Sequence, residues 1–139
     1  MTAEIVDEQA PITESRARVR LANGPLTGPV LCRVVSMVLT RADWPMDRLD
    51  DAMLVCDALC AHAPAHATDG RLTFSVQAHD RAVELRVQEL SAEGAAKLVR
   101  DATLPGVGNV LERIADSLSI EPGERGMGSQ LVLVLTRAG

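Results

Sequence analysis

The chain has 139 residues, room for one domain with a core of its own and no more. Its net charge of −5 argues against nucleic acid as the main ligand, and with one phenylalanine, one tryptophan and no tyrosine the core has to be aliphatic. Three cysteines, none in a C-x-x-C pair, point to reduced thiols and a cytoplasmic location. "MTAEIVDEQAPITES" has neither a basic n-region nor an apolar h-region, so no signal peptide is expected. No apolar run approaches the ~20 residues that a membrane-spanning helix needs.

Residues 1–14 are acidic and polar and are expected to be a flexible tail ahead of a single domain over 15–139. "RARVRLA" alternates strictly, with Ala17, Val19 and Leu21 on one face and Arg16, Arg18 and Arg20 on the other, the pattern of a half-buried strand. After "NGPLTGP", the apolar positions Leu31, Val34, Val35, Val38 and Leu39 predict a helix over 30–42, with Pro29 suited to its first turn. Trp44-Pro45 interrupts it. A second helix is predicted over 47–63, its stripe being Leu49, Met53, Cys56, Leu59 or Cys60, and Ala63. The period then changes to 2: "RLTFSVQA" and "VELRVQE" read as an antiparallel hairpin with one wet face. Residues 91–103 read as a loop or a short helix. "PGVGNVLERIADSL" predicts a third helix with Val107, Val110, Leu111, Ile114 and Leu118 inward, "SLSI" can begin a strand, and "QLVLVLTR" is apolar enough for a central strand. The order β-α-α-β-β-(loop)-α-β-β, with polar faces on three strands, predicts a two-layer α+β sandwich. Its sheet is mostly antiparallel, with helices on one face only.

Four stretches carry a resemblance: "DALCAHAPA" on the second helix, "VQELSAEG" at the hairpin end, "GVGNVLERIAD", and "GSQLVLVL" at the close. In this order they resemble the histidine-kinase-like (GHKL, or Bergerat-fold) ATPase domain. Within it the closest likeness is to the anti-sigma factor serine kinases, the RsbW and SpoIIAB type, in a degenerate actinobacterial form, over about residues 16–137. The family's second-helix motif is E-A-L-x-N-A-x-x-H. Asp57 takes the glutamate place, Ala61 the asparagine place and Ala65 the histidine place. In V-x-D-x-G-x-G, Glu89 falls at the aspartate, Ser91 at the first glycine and Glu93 at the second. Gly128 and Ser129 take the glycine and threonine places of the closing G-T-x-V-x-L.

The resemblance gives these substitutions a chemical meaning. The family's asparagine is its chief protein ligand for the Mg²⁺ on the ATP phosphates, and magnesium takes only one or two such ligands. Ala61 removes it. Asp57 keeps a carboxylate at the general-base place but about 1.5 Å shorter in reach, and a base must come within hydrogen-bond distance of its proton. Glu89 is a methylene longer than the aspartate that holds the adenine amino group, and Glu93 brings charge where glycine admits the nucleotide. The implied state is a domain whose Mg-ATP binding is weak or lost, with Gly106, Gly108 and Asn109 left to line a shallow pocket. The resemblance further implies a homodimer that binds a sigma factor, a STAS-domain anti-anti-sigma protein, or both. The alternatives are an active ATP-dependent serine kinase, with Asp57 catalytic, and a pseudo-ATPase scaffold.

Read from the residues alone, each feature has a plainer account. Asp57 is equally an ordinary solvated acid at the edge of the apolar stripe. "GVGN" is equally a tight entry to a helix, although a helix N-terminus favours anions. Cys56 and Cys60 share a helix face, but it is the core face, so both read as small buried apolar groups, as does Cys32. His62 lies roughly 200° around from Cys60, and Pro64 precedes His66, so no metal site is expected. Arg16, Arg18 and Arg20 are either a wet strand face or a docking patch for an acidic partner, together with Arg33 or Arg41 on the first helix.

Overall fold

Each predicted strand forms where its alternation places it. In the computed structural model, which describes residues 2–3, 14–106 and 108–137, β1 (Thr2–Ala3) and β2 (Ser15–Ala22) open the sheet. Helices α1 (Thr27–Arg41) and α2 (Met46–His62) follow, and α2 tightens into a 3-10 turn at Ala63–His66, where Pro64 removes a donor. The hairpin is β3 (Arg71–Ala78) and β4 (Ala82–Leu90). Then come α3 (Gly94–Asp101), the two-residue strands β5 (Thr103–Leu104) and β6 (Gly108–Asn109), α4 (Val110–Ile114), β7 (Ser117–Pro122) and β8 (Ser129–Thr136). The main sheet has the order β1-β2-β3-β4-β8-β7 with every pairing antiparallel. The fold is the expected two-layer α+β sandwich. Of the expected tail, Thr2 and Ala3 pair with Arg18 and Ala17, and residues 4–13 lie outside the described residues. None of the described helices is long and apolar enough to cross a membrane.

The inner face of the sheet is a grid of aliphatic side chains. Val19, Phe74, Val87 and Leu131 stand in one row, and Ala17, Val76, Leu85, Leu133 and Leu118 in the next. All but Leu118 are buried, each fully buried larger side chain being worth roughly 1.5–3 kcal/mol. Helix α1 covers this grid with the predicted Leu31, Val34, Val35, Val38 and Leu39. On α2 the buried stripe is rotated from the expected one: Ala52, Val55, Cys56, Leu59 and Ala63 are fully enclosed, whereas Leu49, Met53 and Cys60 flank them. The Cys60 side of α2 meets α1, since a Cβ on Gly28 would stand 3.9 Å from the Cys60 Cβ.

Of the two readings left open for residues 91–103, the short helix forms: residues 94–101 are helical because Ala95, Leu98, Val99 and Ala102 recur at helical spacing and all are buried. The helix expected across 105–118 differs: among the described residues only Val110–Ile114 is α-helical there, and Val107 of its expected stripe lies outside the described residues. The helix stops at Ile114 because Asp116 has stronger partners than a further helical turn offers. Its carboxylate accepts from Thr136 N (2.7 Å), Thr136 Oγ1 (3.1 Å) and Arg48 Nη2 (3.0 Å). Leu118 then joins β7 opposite Leu133 instead of continuing a helical stripe.

Arg48, itself buried, also donates from Nε to Thr136 O (3.0 Å) and from Nη1 to Asp51 (2.6 Å), tying the start of α2 to the end of β8. The Thr136 backbone amide and the Arg48 charge hold the Asp116 carboxyl below the usual carboxylate range. A group lowered in the folded state stabilises the protein above its unfolded pKa, about 3.9, and ceases to as pH falls through the folded value. Asp116→Asn should therefore lower the urea midpoint at pH 7, and the gap to wild type should close below about pH 4. Gly128→Ala tests the sheet: Gly128 has φ +69°, and a Cβ there would stand 2.2 Å from Leu90 O. A loss of about 2–3 kcal/mol in urea unfolding is expected.

Candidate functional site

The hairpin end decides what a nucleotide would meet. Val87 pairs with Leu131 and Leu90 with Ser129, so Gln88 and Glu89 together oppose the single residue Gln130. This is a β-bulge, and Glu89 takes φ +59° to make it. Strict alternation would aim Glu89 inward, toward the helices. The bulge instead brings Leu90 into the core and turns Glu89 to the outer face of the sheet. There its carboxylate accepts a short hydrogen bond from Thr73 Oγ1 and pairs with Arg20 Nε at 3.3 Å. Thr73 is fully buried beneath it.

The other positions at which the resemblance would place a nucleotide lie across the sheet or at its rim. Asp57 and Ala61 are exposed on α2, in the helix layer opposite Glu89. The Asp57 carboxylate accepts from Cys32 Sγ of α1 at 3.5 Å. Gly106 and Gly108, at φ +78° and +86°, make the tight β5–β6 turn, and both are exposed. Asn109 is engaged within the fold: its Oδ1 accepts from Glu112 N (3.2 Å), capping α4, and its Nδ2 donates to Val99 O (2.7 Å). Ser129 bonds inward too, donating to Ser91 O (2.6 Å) and accepting from Ala95 N (3.0 Å). Gly94 allows this closure, since a Cβ there would meet Ser91 Oγ at 2.8 Å and His66 O at 3.0 Å. Asp57, Glu89 and Asn109 thus do not converge on one cleft.

The cysteines converge as the sequence reading did not foresee. Cys56 and Cys60 lie on the side of α2 that meets α1, and Cys32 of α1 joins them there. The Cys56 thiol hydrogen-bonds the Cys32 sulfur and lowers its pKa against the opposing effects of burial and the Asp57 charge. Cys56 itself is pushed well up by that bond and by burial, and Cys60 is pushed up to about 12, mainly by burial. The signal in the sequence was Cys32 on the inner edge of α1, but only the helix pairing reveals its neighbours. His66 is directed elsewhere, its Nε2 lying 2.7 Å from Asp101 Oδ2 on α3. Among the described residues no group of three His, Cys, Asp or Glu side chains is arranged to hold a metal ion.

The outer sheet face carries much of its own counter-charge. Arg20 pairs with Asp69 (2.8 Å) as well as Glu89, and Arg86 with Glu84 (2.6 Å) and Glu121 (3.1 Å). A concavity of about 350 Å³ lies between Arg16, Arg18, Gln77 and Arg86, and a second of about 270 Å³ between Arg18, Gln88, Glu89 and Gln130. Neither is lined by Asp57, Ala61 or Asn109. On the helix layer, Arg33 and Arg41 of α1 are exposed and form no ion pair among the described residues.

Compared with known proteins, the sequence matches no family model and no curated protein. The account of Asn109 is tested by Asn109→Ala. Loss of an N-cap costs about 1 kcal/mol, so chemical unfolding should register that loss whether or not Mg-ATP is present.

Proposed function

We propose that this chain is a regulatory binding protein of the anti-sigma type. It holds a sigma factor, is released by a STAS-domain antagonist, and works by binding without Mg-ATP chemistry. The observation that carries this reading is the outward turn of Glu89 onto Thr73 and Arg20. It leaves the place of an adenine-binding carboxylate on the opposite face of the sheet from Asp57. With alanine at position 61 and Asn109 committed to its cap, a nucleotide would find neither its metal ligand nor its base-recognising acid.

The binding half of the proposal rests on α1. Arg33, Met37 and Arg41 recur at four-residue spacing, so they share one helix face. Both arginines are exposed and Met37 is 44% exposed. An apolar side chain between two cations suits an amphipathic helix with acidic flanks. Beside it, the outer positions of α2 are Asp47, Asp50, Leu54 and Asp57, all exposed. Such a strip repels an acidic partner and so fixes its position over α1. The outer sheet face contributes chiefly Arg18, since Arg20 is already paired. A homodimer, as in the family it resembles, belongs to the same proposal.

The test is titration of the purified chain with the sigma factors and STAS-domain proteins encoded in its own genome. One sigma factor should bind, and Arg33→Glu with Arg41→Glu should weaken it roughly tenfold or more, since close charge pairs couple by about 1.5 kcal/mol and upward. Mg-ATP at millimolar concentration should give no heat by calorimetry. Binding of no sigma factor, or phosphoryl transfer to a STAS-domain serine, would overturn the reading.

A further inference from the structure

The three cysteines of the chain meet where α1 packs against α2. At one level of this antiparallel pair a Cβ on Gly28 would stand 3.9 Å from the Cys60 Cβ, inside the range of about 3.5–4.5 Å that a disulfide spans between its Cβ atoms. Cys32 is one turn beyond Gly28 on α1 and Cys56 one turn before Cys60 on α2. The pair Cys32 and Cys56 therefore occupies the next level of the same close approach. Cys32 Sγ lies 3.5 Å from Oδ1 of Asp57, the residue adjoining Cys56. Cys32 is partly open to solvent, whereas Cys56 is fully enclosed.

We propose that Cys32 is a peroxide-reactive thiol and Cys56 its resolving partner, the two closing a disulfide that ties α1 to α2. The chemistry needs a hydroperoxide as oxidant. The Cys32 thiolate attacks one peroxide oxygen. The S–O bond forms as the O–O bond breaks, and the departing hydroxide takes up the proton released by Cys32 as water. The Cys32 sulfur is now a sulfenic acid, oxidised by two electrons. The Cys56 sulfur then attacks it, the S–S bond forms as the S–O bond breaks, and the leaving hydroxide departs with the Cys56 proton as a second water. Two thiols and one hydrogen peroxide give one disulfide and two waters.

The neighbours assign the two roles. Reactive cysteines are exposed and ionise readily, and buried thiols in apolar surroundings are inert until a partner is oxidised. The bond from Cys56 favours ionisation of Cys32, while the Asp57 charge opposes it. Asp57 thus restrains the thiol, and its removal should speed reaction at Cys32 without touching the sulfurs. Cys60 sits one level away and takes no part.

The experiment uses the full chain, reduced, then treated with a small excess of hydrogen peroxide. The remaining thiols are alkylated after unfolding and the peptides are mapped by mass spectrometry. Expected are loss of two hydrogens, a Cys32–Cys56 cross-link reversed by dithiothreitol, and Cys60 fully alkylated. Before oxidation, native-state iodoacetamide should label Cys32 roughly tenfold or more faster than Cys60. Asp57→Asn should raise the Cys32 rate further, and Cys60→Ser should leave the cross-link intact. A cross-link to Cys60, links only between chains, an unreactive Cys32, or its passage to sulfinic acid with Cys56 still alkylatable would each overturn the proposal. Because the cross-link is read in the wild-type chain, a misfolded Cys56 variant cannot obscure the result.

Discussion

Leu90 has to reach the core from a strand whose alternation would leave it outside, and much of the molecule is arranged around the bulge that lets it. Its carbonyl lies so close to Gly128 that no side chain fits there. On one side Thr68 N and Oγ1 donate to Glu89 O, and on the other Ser91 N donates to His66 O. Ser129 fastens Ser91 to the first turn of α3. Hairpin, 3-10 turn, α3 and the last strand are therefore joined through three consecutive residues, 89–91. Turning Glu89 outward is the unavoidable counterpart of bringing Leu90 in.

This constraint also separates the two faces of the protein by chemistry. The inner face of the sheet is aliphatic and has to be covered, which places α1 and α2 side by side on it and leaves their outer strips to solvent. Those strips have opposite sign, Arg33 and Arg41 on α1 against Asp47, Asp50 and Asp57 on α2. The outer sheet face is more evenly balanced, because Asp69, Glu84, Glu89 and Glu121 answer Arg20 and Arg86. Charge with no ion pair among the described residues, beside an exposed methionine, is a better starting point for association than charge already matched within the fold, since fewer existing ion pairs have to be broken.

Where structure follows local period, the sequence was a sufficient guide. The strands at Arg16–Leu21 and Arg71–Ala78, the stripe of α1 and the one-sided sheet are all properties of side-chain spacing. The bulge was hidden because positive φ at a glutamate has no signature in composition; only the competition between Leu90 and Glu89 for the core reveals it. The end of α4 was hidden for a similar reason. Asp116 abandons the helix for Arg48 and Thr136, partners 68 and 20 residues away. Helix α3 was legible in principle, since Ala95, Leu98, Val99 and Ala102 keep helical spacing, but small and charged neighbours weaken that signal. Of the candidate site, Asp57, Ala61 and Glu89 could be singled out only through the resemblance, whereas the meeting of Cys32 with Cys56 depends on how two helices pack.

Glu89 is held on the outer face by Thr73 rather than presented to a cleft beneath the helices. A double-mutant cycle measures this most directly, combining Glu89→Gln with Thr73→Val and following urea unfolding. Hydrogen-bonded neighbours in one network couple, and a bond to a charged acceptor is worth about 1.5–3 kcal/mol before solvent screening. The expected coupling is about 1 kcal/mol or more. Additive effects of the two substitutions would contradict it.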